Sequence, residues 1–323
     1  MNSNRTNKAS NRLKSIFENL KADYFLYILF GNLERKKSMN IIKYNKNIQK
    51  RINININDYK EYFEIYSSIE IELIPKKNEW VNFINILNKE NEKYYHIYFD
   101  DNKEETKEKY LNKEHNIKKI KITIDYKIKS FYDLFYDCQS IESIKFKKFH
   151  RKDINNMSCM FYGCSSLKKI DFNNFNTENV TDMHEMFFNC SSLKELNLKN
   201  FNTNNVTNMS AMFHYCSSLE KITLSNFNTN NVTDMSSMFN RCSSLKKLNL
   251  SNFNTNNVIY MNHMFAGCSA LNELNINNFR SKNLKNKDNI FYLCSKELKV
   301  KIKERYMKAG EASLFLIDFR NKK

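Results

Sequence analysis

Cysteine returns at a fixed stride. Cys138, Cys164, Cys190, Cys216, Cys242, Cys268 and Cys294 are spaced 26 residues apart, and the residues around each return with it. Thus Met186-Phe187-x-x-Cys190-Ser191-Ser192-Leu193-x-x-Leu196-x-Leu198 comes back as Met212-Phe213-x-x-Cys216-Ser217-Ser218-Leu219-x-x-Ile222-x-Leu224. A period of this size marks a solenoid, because one such unit is too small to bury its apolar face alone and must pack it against its neighbours. Function is then expected on an extended surface.

Within one unit, Val180, Met183, Met186, Phe187 and Cys190 follow helical spacing, with Thr181 and Asp182 where a cap is wanted. This predicts a short helix over 181–190. Leu196-Asn197-Leu198 then alternates, so Leu196 and Leu198 face one side while Glu195, Asn197 and Lys199 face the other. The strand recurs at Ile144/Phe146, Ile170/Phe172, Leu196/Leu198, Ile222/Leu224, Leu248/Leu250, Leu274/Ile276 and Val300/Ile302, with an earlier, less regular rung at Ile117-x-x-Ile120-x-Ile122. Strands of one sense joined by helical crossovers predict an α/β solenoid, a parallel sheet with helices on one face. Eight rungs at the usual strand spacing make a sheet about 35 Å across. Phe201 and its copies anchor the turn after each strand, and the Asn residues that follow satisfy backbone groups between rungs.

Each inner cysteine of the ladder has two equivalent neighbours and no unique partner, so the expected role is a small buried hydrophobe, not a disulfide. No His or second Cys recurs beside it at ligand spacing, so neither a metal nor a cofactor is expected. Cys159 stands outside the ladder and reads as exposed and incidental. His96, His115, His150, His184, His214 and His263 share no position in the repeat, and no P-loop, dinucleotide-binding or zinc-protease motif occurs. The chain does not read as an enzyme.

The formal charge of +17 is unevenly spread: residues 1–50 hold 11 basic and 3 acidic groups, whereas residues 131–250 hold 13 and 11. The repeats are near neutral and the ends basic. Arg5, Lys8, Arg12, Lys14, Arg35, Lys36 and Lys37 form a loose arm, not a groove with stacking aromatics, so nucleic acid is an alternative partner and not the expected one. With four glycines and one proline, turns must rely on Asn, Asp and Ser. No secretory leader pattern is seen, and the most apolar run, Tyr24 to Phe30, is far shorter than the roughly 20 residues a membrane-crossing helix needs. A cytoplasmic protein without a transmembrane segment is the expectation.

The recurring words L-x-x-L-x-L-x-x-F-N-T-x-N-V-T-x-M-x-x-M-F-x-x-C-S-S-L resemble the BspA-like leucine-rich repeat family over residues 117–302, with the tandem copies nearest the pattern running from Leu167 to Leu271. The resemblance implies a leucine-rich-repeat horseshoe with its strands on the concave face and its short helices on the convex face. It also implies a displaced or absent Asn ladder, since Phe175, Phe201, Phe227 and Phe253 stand where that pattern usually has Asn. Family members are often surface proteins implicated in adhesion, which makes the cell surface the alternative location. Against it, Asn179-Val180-Thr181 and its copies at Asn205 and Asn231 are glycosylation acceptors that would crowd a secreted solenoid.

Three domains are expected: an N-terminal, mainly helical α+β domain over 1–115, the solenoid over 116–302, and a C-terminal cap over 303–323. In the first, helical stripes appear at Leu13 to Leu20, Phe25 to Leu33 and Ile41 to Ile48. The run from Phe25 to Gln49 resembles an F-box, the adaptor module of ubiquitin ligases, without its opening Leu-Pro. Ile69 to Pro75 and Tyr94 to Phe99 alternate as strands, Trp80 to Leu87 reads as a helix between them, and Asp100 to His115 as a charged linker.

The expected function is a non-catalytic scaffold that binds a protein or peptide. The candidate residues lie on the concave strands: Lys169, Asp171, Glu195, Asn197, Lys221, Thr223, Lys247, Asn249, Glu273 and Asn275. A rigid, polar surface of this kind suits a protein partner better than an apolar small molecule. An F-box-like adaptor, a surface adhesin and a weak nucleic-acid binder are the alternatives.

Overall fold

In the computed structural model, which describes residues 45–51, 67–76, 81–112, 116–280 and 282–308, each repeat bonds to the next through its main chain at every second residue of one wall. Met183 N donates to Asn208 O at 3.1 Å, Glu185 N to Ser210 O at 2.9 Å, Phe187 N to Met212 O at 2.9 Å and Asn189 N to His214 O at 2.7 Å. The residues between them close tight turns, as Met186 N donates to Met183 O and Cys190 N to Phe187 O.

The helix expected over 181–190 is therefore replaced by a chain of turns. Glu185 and Asn189 lie at φ +53° and +54°, a left-handed conformation that breaks an α-helix and turns the N–H groups toward the neighbouring rung. The same conformation fills two columns: Asp133, Cys159, Glu185, Ala211, Ser237, His263 and Asn289, then Asp137, Gly163, Asn189, Tyr215, Arg241, Gly267 and Leu293. The apolar spacing still identified the interior, since Met183, Met186, Phe187 and Cys190 are all buried.

The chain divides into two units between Ser67 and Ser68. In the first, α1 (Lys46–Arg51) starts at Asn45, whose Oδ1 accepts the N–H groups of Asn47 at 3.1 Å and Ile48 at 3.0 Å as an N-cap. The stripe at Leu13 to Leu20, the stripe at Phe25 to Leu33 and the greater part of the F-box-like run lie outside the described residues.

The second unit opens with a mixed sheet. Its strands are β1 (Ile69–Pro75), β2 (Val81–Asn82), β3 (Tyr95–Phe99), β4 (Tyr110–Leu111), β5 (Ile120–Ile124) and β6 (Ile141–Lys148), followed by β7 (Lys169–Asp171) of the repeats. Five of them pair in the order β3-β5-β1-β6-β7, and β2 pairs with β4. β1 runs antiparallel to both β5 and β6, with Ile71 opposite Ile122 on one side and Phe146 on the other. This corrects two expectations. The Ile117 to Ile122 segment is not a parallel rung, and the boundary expected near residue 115 is bridged by strand pairing that joins residues 69–99 to the repeats. The helix expected over Trp80 to Leu87 gives way, among the described residues, to β2 and irregular chain, with a 3-10 turn at Lys89–Tyr94 capped by Asn88.

The remaining strands are β8 (Glu195–Asn197), β9 (Lys221–Thr223), β10 (Lys247–Asn249) and β11 (Glu273–Asn275). All repeat strands are parallel, but they pair two by two, as β6 with β7, β8 with β9 and β10 with β11, and not as one continuous sheet. With three residues per strand, continuity passes to the turn wall, where parallel bridges run unbroken through Ser130, Asn156, Asp182, Asn208, Asp234, Tyr260 and Asn286.

Four side-chain columns complete the stack. The ladder cysteines are buried as expected and also donate: Cys190 Sγ bonds Phe161 O and Cys216 Sγ bonds Phe187 O, each at 3.1 Å, one rung back. Phe161, Phe187, Phe213, Phe239 and Phe265 stack ring on ring, with centroids 5.3 Å apart for Phe161 and Phe187 and 5.7 Å for Phe187 and Phe213. Thr203 Oγ1 donates to Asn228 O at 2.9 Å and accepts from Asn228 N at 2.8 Å, so a buried hydroxyl satisfies both its functions. The Asn ladder is displaced, not lost: Asn179, Asn205, Asn231, Asn257 and Asn283 each donate to a carbonyl one rung back.

The ends are closed differently. Arg151 is wholly buried where the mixed sheet meets the repeats, donating to Asp153 Oδ1 at 2.9 Å, Asp125 O at 2.9 Å and Ile128 O. At the other end α2 (Lys296–Lys308) replaces the strand expected at Val300/Ile302. Leu298 and Ile302 turn inward four residues apart, Val300 is exposed, and Glu297 pairs with Lys301 at 2.6 Å. The closing element thus begins before residue 303, and residues 309–323 lie outside the described residues.

Leu198→Ala is expected to cost about 2–5 kcal/mol in urea unfolding, as a buried truncation. A change within about 0.5 kcal/mol would place that leucine outside the core. Arg151→Met strips the guanidinium that pairs with Asp153 and is expected to cost about 3–5 kcal/mol, with part of the loss recovered when Asp153→Asn is added. Burial, reinforced by Arg241 and His263, pushes the His214 pKa down to about 4. Because the unfolded value is about 6.5, the stability this gives is whole above that pH and is lost as pH falls toward the folded value. His214→Asn, copying Asn240 one repeat on, is expected to flatten this part of the urea-midpoint profile; an unchanged profile would refute the assignment.

Candidate functional site

A three-residue strand facing a full core on one side has two side chains left for solvent. In β8 Glu195 and Asn197 are exposed while Leu196 is buried, and β10 repeats this with Lys247, Asn249 and Leu248. The ten residues singled out from the sequence therefore form two rows. Lys169, Glu195, Lys221, Lys247 and Glu273 make one, all exposed. Asp171, Asn197, Thr223, Asn249 and Asn275 make the other, with Asp171 and Asn275 half-buried.

Within each strand pair, register sets one basic and one acidic side chain together. Lys145 Nζ lies 3.4 Å from Asp171, Lys221 Nζ 2.7 Å from Glu195, and Lys247 Nζ 2.6 Å from Glu273. Lys221 and Lys247, equivalent residues of successive repeats, thus turn to opposite sides. The hydrogen bond and charge of Glu195 raise the Lys221 pKa. The second row also has structural work. Asp171, Asn197 and Asn249 accept the main-chain N–H two residues on at 3.0–3.1 Å, which fixes the turn after each strand.

Near the last strands this surface deepens into a cleft of about 660 Å³. Lys247, Asn249, Glu273 and Asn275 line it, with Leu248 and Leu274 among its apolar residues and Leu298, Lys301 and Ile302 of α2 at its side. The sequence reading missed the α2 residues because it assigned them to a strand. The spacing of Leu298 and Ile302 and the Glu297/Lys301 pair carried the helical signal.

Elsewhere the described histidines stay apart. His96 lies 3.2 Å from Glu105, His184 2.8 Å from Asp182, and His214 stacks on Tyr215. Cys159, expected to be exposed, is buried, because the neighbouring rungs bring Asp133 and Glu185 over it. Its Sγ lies 3.5 Å from Glu185 Oε2. No helix among the described residues is long and apolar enough to cross a membrane.

Among solved structures, a leucine-rich repeat protein of T. pallidum is similar, at 21% identity over 54% of this chain and 74% of that one, with a TM-score of 0.38. No curated protein matches the chain. A family model described as "Mycoplasma protein of unknown function, DUF285" matches residues 129–224 and 219–308, which together span the repeats and α2. More than half of the chain is covered, and the chain belongs to that family.

Proposed function

We propose that the chain is a non-catalytic scaffold whose strand face holds a protein or peptide partner. The observation that carries this is the paired charge row: Glu195/Lys221 and Lys247/Glu273 are held in register on strands backed by a fully buried core. Such a face presents fixed, alternating charge with little net sign, which selects a partner by pattern more than by bulk attraction. The cleft beside α2 falls within the size range of ligand pockets, roughly 300–1,000 Å³, and mixes charged and amide groups with leucine and isoleucine, which suits a segment of chain carrying both polar and apolar side chains. Pairing within the face leaves a partner to compete with intramolecular contacts, and exposed ion pairs of this kind hold their own charges weakly.

Swapping the two pairs tests this without unmaking them. The quadruple variant Glu195→Lys, Lys221→Glu, Lys247→Glu and Glu273→Lys keeps both cross-strand ion pairs and inverts the pattern a partner meets. Affinity capture from the native cell is expected to recover a set of proteins with the unaltered chain and to lose them with the swapped chain, at unchanged melting temperature. An identical captured set from both chains would remove the strand face from the function.

A further inference from the structure

Stacking places residues 26 apart in sequence side by side, so the left-handed column begins Asp133, Cys159, Glu185 before it turns to Ala211 and Ser237. His184 stands next to Glu185. Cys159 and Glu185 on successive rungs, with His184 beside them, thus meet at one place, on a backbone fixed by the cross-rung bond Cys159 N to His184 O. The ligand atoms of Cys159, His184 and Glu185 all lie within 4.8 Å of one another, and Cys159 Sγ is 3.5 Å from Glu185 Oε2. A tetrahedral zinc ion, with bonds of about 2.0–2.3 Å, holds its ligand atoms about 3.3–3.8 Å apart, so only a small closure separates this arrangement from a coordination shell.

A second, independent observation points the same way. Asp133 is 9% exposed, and its Oδ1 is buried without a hydrogen-bond partner. A buried carboxylate oxygen left unpaired is costly and calls for a cation or a donor. Asp133 stands one rung before Cys159 in the same left-handed column.

We propose that Cys159, His184 and Glu185 form a binding site for a divalent transition-metal ion of zinc type, with the Asp133 carboxylate beside it as a supporting charge. Thiolate, imidazole and carboxylate together suit zinc better than calcium or magnesium, which prefer all-oxygen shells. Three protein ligands leave a fourth position for water, and the ion would tie two successive rungs together. His184 Nδ1 is held by Asp182 Oδ1 at 2.8 Å, so with that bond kept Nε2 is the ligating nitrogen, an orientation typical of metal-bound histidine. Binding proceeds with loss of the Cys159 proton to solvent as its S–H bond is exchanged for a sulfur–metal bond. His184 and Glu185 are half-buried and give the ion a way in from solvent.

Cobalt(II) is the probe, added to chelator-treated full-length protein. The expected result is saturation at one equivalent, with a thiolate-to-cobalt charge-transfer band in the near ultraviolet, tetrahedral visible bands, and displacement of both by zinc. The repeat supplies variants the fold tolerates. Cys159→Ser and His184→Ser copy Ser237 and Ser210, which occupy the same columns. Cys159→Ser is expected to abolish the charge-transfer band, and His184→Ser or Asp133→Asn to weaken cobalt binding by more than about tenfold. Cys216→Ala, in the buried ladder, is expected to leave the band intact, and zinc to raise the melting temperature of the unaltered chain and of Cys216→Ala but not that of Cys159→Ser. Absence of saturable binding, or a charge-transfer band that survives Cys159→Ser, would overturn the site.

Discussion

The structure rests on main-chain hydrogen bonds that run from one rung to the next along the turn wall. Met183, Glu185, Phe187 and Asn189 each donate to the following repeat, and the same residues of every copy do likewise. These bonds leave no freedom of register: a residue meets its own counterpart or the bond is lost. Every column follows from that. Cysteine meets the carbonyl of the Phe one rung back, threonine meets the main chain on the next, and phenylalanine meets phenylalanine. The strands, three residues long and paired two by two, ride on this frame and do not create it.

The interior was legible from sequence because burial depends only on which side chains recur with the right spacing. Met183, Met186, Phe187 and Cys190 fit a helix and fit a run of tight turns equally well, since both return a side chain to the same side every three or four residues. The left-handed conformations at Glu185 and Asn189 decide between them, and in residue types the signal is confined to the second column, where Gly163 and Gly267 stand at the position of Asn189. Strand direction was hidden for a related reason. Ile120, Ile122 and Ile124 alternate as any half-buried strand does, and alternation is silent about whether the neighbour is parallel. The antiparallel partner, β1, lies some fifty residues earlier and outside the repeat.

The exposed strand residues could be named from the sequence, but not the pairing among them. Ten polar strand residues could be named, yet which lysine faces which acid depends on which strands pair. Cys159 shows the limit most clearly. Taken alone it was a stray thiol. Subtracting and adding one period gives Asp133 and Glu185, so its surroundings were written in the chain and became readable once the stack was known to be straight in register.

The left-handed columns have a consequence for how such an array can diversify. Asp, Cys, Glu, Ala, Ser, His and Asn succeed one another at a single position of successive copies, and no β-branched residue is among them. The backbone there rejects Val, Ile and Thr on local steric grounds and is indifferent to charge, polarity and nucleophilicity. Along that edge, a point change can install new chemistry in one copy while the packed interior of every copy stays untouched.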